Sequence, residues 1–134
     1  MKVALTIAAS DSSGGAGVQA DLAVFRDLGA HGVCAVTNVT AQDSRGVRKI
    51  CRTPPRVVAA QIDAVTRDFD VAACKVGMMF AHQIVDVTAE RISRREIPNV
   101  VLDPVMTSKG GQALLTGPAL KRLKWALAPR TALV

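Results

Sequence analysis

Tyrosine is absent from this chain, and aromatic residues as a whole make up only 3% of it. Few flat side chains are available to stack on bases, so no nucleic-acid partner is expected. Long apolar runs are missing too. None reaches the ~18 residues that a membrane-spanning helix needs, so no membrane partner is expected. Met1 to Ala9 is basic and then apolar, but it runs straight into a glycine-rich turn without a cleavage context. It therefore reads as a strand rather than a signal peptide. Cysteine is sparse. Cys34, Cys51 and Cys74 are widely separated, no C-x-x-C occurs, and His31 and His82 do not stand at metal-ligand spacing. The thiols read as buried and reduced, which suits a cytoplasmic protein. G-x-x-x-x-G-K-[ST] is absent, which excludes a Walker-type phosphate loop. No internal repeat, linker or low-complexity segment interrupts the chain.

What remains is a chain of 134 residues with 49% hydrophobic content, enough for one domain with a real core. The net charge of +6 permits an anionic partner. Its basic residues cluster at Arg45, Arg48, Lys49 and Arg52, at Arg91, Arg94 and Arg95, and at Lys121, Arg122 and Lys124. The last two clusters fall on helical patterns and read as solvated faces. No nucleic-acid reading motif accompanies any of them.

The chain is organised around Thr6 to Asp21. An apolar run, Val3 to Ala9, stops at the polar turn Ser10-Asp11-Ser12-Ser13. Gly14, Gly15 and Gly17 follow, and then an amphipathic pattern begins. That order predicts strand, glycine turn and helix start, a place where free backbone N–H groups face a ligand edge. The first helix is expected over 16–28, with Val18, Leu22, Phe25 and Leu28 on one face and Ser12 or Ser13 as its cap. A strand is expected at Val33–Val39, then a polar loop at Thr40–Gly46, then a short edge strand at Val47–Cys51. Thr53-Pro54-Pro55 opens a helix. Val71–Val76 reads as a strand, 81–95 as a helix, Val100–Leu102 as a buried strand and Pro118–Leu127 as a helix, with a further strand beginning at Thr131. This alternation predicts an α/β fold, a mostly parallel sheet with helices on both faces.

Gln42, Met78 and Asp103 each follow an expected strand end, and Asp21 lies one turn into the first helix. Gln42 carries both donor and acceptor, which suits the edge of a heterocycle. Met78 can pack on a ring face. Asp103, before a proline, is either a turn residue or a ligand for a phosphate-bound Mg²⁺. Gly15 to Ala20 also fits the loose dinucleotide pattern G-x-G-x-x-[GA], but Asp43, the acidic residue at the right distance, falls in the polar loop. Glycines that serve only the turn are one alternative, and a nicotinamide site is a weaker one.

The ordered stretches TIAASDSSGGAGVQADL (6–22), VTAQDSRGV (39–47), PPRVVAAQIDAV (54–65), KVGMM (75–79) and VVLDPVM (100–106), followed by SKGG, resemble the hydroxymethylpyrimidine/phosphomethylpyrimidine kinases of thiamine biosynthesis. These belong to the ribokinase-like superfamily. The resemblance implies a three-layer ribokinase-like sandwich and ATP-dependent phosphorylation of a hydroxymethylpyrimidine and then of its monophosphate. It implies that Gln42 pairs with the pyrimidine edge, and that Ala9, Ala16, Asp21, Met78 and Val105 line the same pocket. Asp103 falls on the ATP and Mg²⁺ side. Ala9 stands where a glycine is usual in the family, and Thr107-Ser108 and Gly111 also depart from its pattern.

The resemblance implies that residues 1–134 are the amino-terminal portion of one such kinase domain. Family members continue past this point, with a glycine-rich anion hole and the residue that activates the hydroxymethyl oxygen. No catalytic residue of that kind is therefore assigned here. The chain alone is expected to bind weakly and turn over poorly, with a homo-oligomer or a complementing chain as its expected protein partner. A non-catalytic pyrimidine-binding or regulatory module is the alternative, and a non-functional truncated product a further one.

Overall fold

The computed structural model describes residues 1–134. In chain order the elements are β1 (Val3–Asp11), α1 (Gly17–Asp27), β2 (His31–Asp43), β3 (Gly46–Arg52), α2 (Pro55–Asp68), β4 (Val71–Val76), α3 (His82–Arg94), β5 (Val100–Leu102) and α4 (Gly117–Arg122). A π turn at Leu123–Leu127 and a 3₁₀ turn at Ala128–Arg130 carry the last helix onward. The five strands lie in the order β3-β2-β1-β4-β5. All neighbours are parallel except β2 and β3, which form an antiparallel hairpin.

β1 lies in the middle because its residues are buried on both faces. Leu5 and Ile7 point into the main core with Val33, Ala35, Cys74, Val76 and Val100, under α2, α3 and the final helix. Thr6 and Lys75 point the other way, toward α1, and both hydrogen-bond to its Asp21. The expectation of helices on both faces is met. From β1 the chain moves first to one side, to β2, and later to the other, to β4. A sheet that reverses in this way opens a crevice beyond the carboxyl ends of its central strands.

Several expectations are corrected. The polar stretch Thr40–Gly46 is not a loop. Thr40 to Asp43 completes β2, and Ser44-Arg45 form a tight turn into β3. Its polar residues belong there because they border solvent and the crevice rather than the core. Asp43 is thus the last residue of β2. Its carboxylate accepts from the N–H groups of Arg45 and Gly46 and from Arg48. The Arg45 N–H first, and the Arg48 guanidinium second, hold the Asp43 carboxyl below the usual range. Its carboxylate is occupied in closing the turn. Neither Ser12 nor Ser13 caps α1, whose N-cap is Ala16 without a side-chain bond. Cys51 is exposed rather than buried. Cys74 is a core residue, and burial pushes its thiol up to about 12. The expected helix to Leu127 changes to a π turn after Arg122, and the strand expected from Thr131 makes only a single bridge, Val101 to Leu133.

The basic cluster on α3 is not simply a solvated face. Arg95 donates through Nε and Nη2 to Oδ1 of Asp63 on α2, at 3.0 and 2.8 Å. Arg91 Nε lies 3.2 Å from the same oxygen, although off the hydrogen-bond direction. These guanidinium groups hold the Asp63 carboxyl below its ordinary value. A carboxyl lowered in the folded state stabilises the fold above its unfolded value of 3.8, and this is lost as pH falls through the folded value. Asp63→Asn should therefore cost about 2 kcal/mol at neutral pH. It should also flatten the acid limb of a urea-denaturation series run from pH 7 to pH 2. An unchanged acid limb would show that the α2–α3 clasp contributes nothing.

Candidate functional site

The crevice at the reversal point is a cavity of about 270 Å³. Its wall includes Ala8, Ala9, Ser10 and Asp11 from β1, Ala16 from the glycine turn, Gly17, Ala20 and Asp21 from α1, and Gln42 from β2. Lys75 from β4, Met78, Asp103 and Val105 beyond β4 and β5, and Leu114 complete it. Every site residue expected from the sequence is therefore brought to one cavity: Ala9, Ala16, Asp21, Gln42, Met78, Val105 and Asp103. An outer cleft, lined by Ser13, Ser44, Thr107, Ser108 and Lys109, shares Asp11, Ala16, Gln42, Val105 and Leu114 with it.

The turn that begins this site is built by Asp11, whose side chain is almost fully buried. Its Oδ1 accepts from the N–H and the hydroxyl of Ser13, both at 2.8 Å, and its Oδ2 accepts from the Ala16 N–H at 2.9 Å. The donors that a dinucleotide pyrophosphate would need at this helix start are thus partly taken by a fixed carboxylate, which counts against the nicotinamide reading. Gln19 clamps the same turn, accepting from the Asp11 N–H and donating to Ser10 Oγ. Gly17 lets α1 begin directly against β1. Its φ is +61°, and a Cβ there would lie 2.2 Å from the Ala9 carbonyl oxygen.

Ser12 reaches across to β2. Its hydroxyl donates to the Gln42 carbonyl at 2.6 Å and accepts from the Gln42 N–H at 2.8 Å. The serine expected to cap α1 instead holds the backbone of Gln42. The Gln42 Oε1 lies 3.2 Å from Thr40 Oγ1, and its amide nitrogen has no protein partner. Part of that side chain is free to address a ligand.

Earlier in the same strand, β2 carries an extra residue against β1. Ala8 pairs with Val36 but Ser10 pairs with Val39, so Thr37 and Asn38 together face Ala9. Such a bulge re-aims side chains. Thr37 Oγ1 donates to the Met78 carbonyl at 2.7 Å and fixes the segment after β4. Phe80, at φ +60°, turns that segment back. Met78 then joins Ala9 and Leu114 beside the cavity, while Met79 is fully buried in the main core.

Asp21 is the most heavily bonded of the expected residues. Its Oδ2 accepts from Thr6 Oγ1 at 2.6 Å and from Lys75 Nζ at 3.0 Å, and its Oδ1 accepts from the same Nζ at 3.1 Å. Lys75, Asp11 and Leu114 were not anticipated. One sign of Lys75 was available: a lysine inside the otherwise apolar strand VAACKV needs a buried partner. Asp103 is exposed at the end of β5. Its N–H donates to the Val76 carbonyl, and its own carbonyl accepts from Val105.

The phosphomethylpyrimidine kinase family model matches residues 11–134. This chain belongs to the phosphomethylpyrimidine kinase family. It is 47% identical over 131 residues to the hydroxymethylpyrimidine/phosphomethylpyrimidine kinase of Escherichia coli, covering 98% of this chain and 49% of that protein. The crystal structure of the phosphomethylpyrimidine kinase from Clostridium difficile superposes with a TM-score of 0.92 at 38% identity, covering 98% of this chain and 57% of that one. An ADP complex of Bacillus subtilis pyridoxal kinase does so at 0.88 with 36% identity, covering 99% and 51% respectively. The family is one of kinases, and the ribokinase-like α/β fold expected from the sequence stands. The chain spans about half the length of the curated relatives it matches.

Proposed function

We propose that this chain provides the pyrimidine-binding side of an ATP-dependent kinase of thiamine biosynthesis. Its substrates are 4-amino-5-hydroxymethyl-2-methylpyrimidine, phosphorylated at the hydroxymethyl oxygen, and then the monophosphate. One observation carries this reading. A single cavity of about 270 Å³ gathers Gln42, Met78, Asp21, Ala9, Ala16 and Val105 from separate elements. That volume suits a one-ring ligand better than a dinucleotide. Gln42 supplies a donor and an acceptor for the edge of an aminopyrimidine. Met78, Ala9 and Val105 supply the apolar faces, which hold the ring in one orientation. Phosphoryl transfer depends chiefly on such positioning.

The donor set also fits a nucleotide-bound Mg²⁺. No three His, Cys, Asp or Glu side chains form a metal cluster, and Asp103 stands as a single exposed carboxylate at the cavity. Mg²⁺ is characteristically held by one or two carboxylates while phosphate oxygens and water complete its shell. When bound, it neutralises charge on the transferred group. Asp103 is the residue of this chain that would hold it.

Calorimetric titration tests the reading. The chain should bind hydroxymethylpyrimidine saturably, with pyridoxal weaker and NAD(P) not at all. A chain that takes up NAD(P) or pyridoxal but ignores the pyrimidine would end this assignment.

A further inference from the structure

Asp21 and Lys75 form an ion pair between α1 and β4, with 16% and 25% of their side chains exposed. A pair this buried adds little to stability over an apolar pair of the same shape. Its place on the cavity wall calls for another account. Both carboxylate oxygens of Asp21 are engaged by the protein, and Oδ2 accepts two hydrogen bonds. Asp21 therefore has little left to offer a ligand. Lys75 is in the opposite position. An ammonium has three N–H donors, so even with one given to each Asp21 oxygen a third remains. Lys75 is also the only cationic side chain lining the cavity. Gly77 leaves room for it, since a Cβ there would stand 3.0 Å from Nζ.

The pyrimidine has two ring nitrogens. An amide such as Gln42, donor on one side and acceptor on the other, pairs with the amino group and the nitrogen beside it. The other nitrogen is a bare acceptor. We propose that Lys75 is a ligand-binding residue whose remaining N–H donates to that second ring nitrogen, and that Asp21 and Thr6 are the positioning residues that aim it. This rests on the pyrimidine reading above. It assigns recognition of the far side of the ring to Lys75 and leaves Asp21 as its anchor.

The test compares two ligands on two proteins by calorimetry, at a pH where both ligands are neutral. One ligand is hydroxymethylpyrimidine. The other is the pyridine analogue in which the nitrogen remote from the amino group is replaced by C–H. The unaltered chain should bind the analogue at least roughly tenfold more weakly, as expected for a hydrogen bond to a charged donor. In Lys75→Met the difference should shrink to within about twofold, because the donor is gone. Should Lys75→Met fail to fold around an unpaired Asp21, the neutral double variant D21N/K75M carries the same comparison. Persistent discrimination in the variant overturns the proposal, as does its absence in the unaltered chain. An unaltered chain that binds neither ligand refutes the pyrimidine reading itself, a result distinguishable from both.

Discussion

Gly17→Ala should be the most damaging single-methyl change in the chain. Two independent costs coincide at this position. The backbone sits at φ +61°, a conformation that L-residues adopt at about 1–2 kcal/mol. The added Cβ would also lie 2.2 Å from the Ala9 carbonyl oxygen, and backbone cannot rotate aside as a long side chain can. Forced overpacking of this kind costs a further ~1–3 kcal/mol or more. The sum approaches the whole stability of a small domain, which is about 5–15 kcal/mol. Gly111→Ala is the matched control. It shares a positive φ, +80°, but a Cβ there meets nothing within 4 Å. Urea denaturation should show a loss of about 1 kcal/mol for Gly111→Ala and several times that, or failure to fold, for Gly17→Ala. Equal losses in the two variants would mean that α1 does not start against β1 as described.

Gln42→Ala should leave the fold intact and remove most of the pyrimidine affinity. The backbone of Gln42 is held by Ser12 from both sides, so truncating its side chain does not release β2. The lost amide would strand a ligand donor and acceptor together in a partly closed cavity. A site built to pair polar edges loses roughly ten- to hundredfold when one partner is removed. The dissociation constant for hydroxymethylpyrimidine should rise by that factor, while the urea midpoint moves little. An unchanged constant would remove Gln42 from the site.

Much of the sheet was legible because its strands are apolar on both faces. Val71–Val76 was bounded correctly by the polar Asp70 before it and Gly77 after it. The edge strand expected at Val47–Cys51 stands within β3, but the last part of β2 was not legible. Thr40-Ala41-Gln42-Asp43 has no apolar alternation, since one side meets solvent and the other a cavity, and hydrophobic periodicity cannot register either. Arg91 and Arg95 were misread for a related reason: their partner, Asp63, lies on another helix, whereas Arg94 is solvated as expected. The site residues came from ordered motifs, and the cavity gathers all of them. What the motifs did not convey was which of them are already occupied. Asp11 reads as an ordinary turn aspartate until its burial and its three bonds are seen. Asp21 reads as a free acid until Lys75, 54 positions away, is placed beside it.

The adjacent methionines tie recognition to the interior in a mechanical sense. Met78 borders the cavity proposed to hold the pyrimidine, and its neighbour Met79 is embedded in the central apolar mass beneath the sheet. The two side chains share one stretch of backbone, which links the cavity wall to the main core. A ring held against Met78 therefore resists melting of the whole body, and occupancy will register as a rise in the global unfolding temperature rather than as the quieting of one loop.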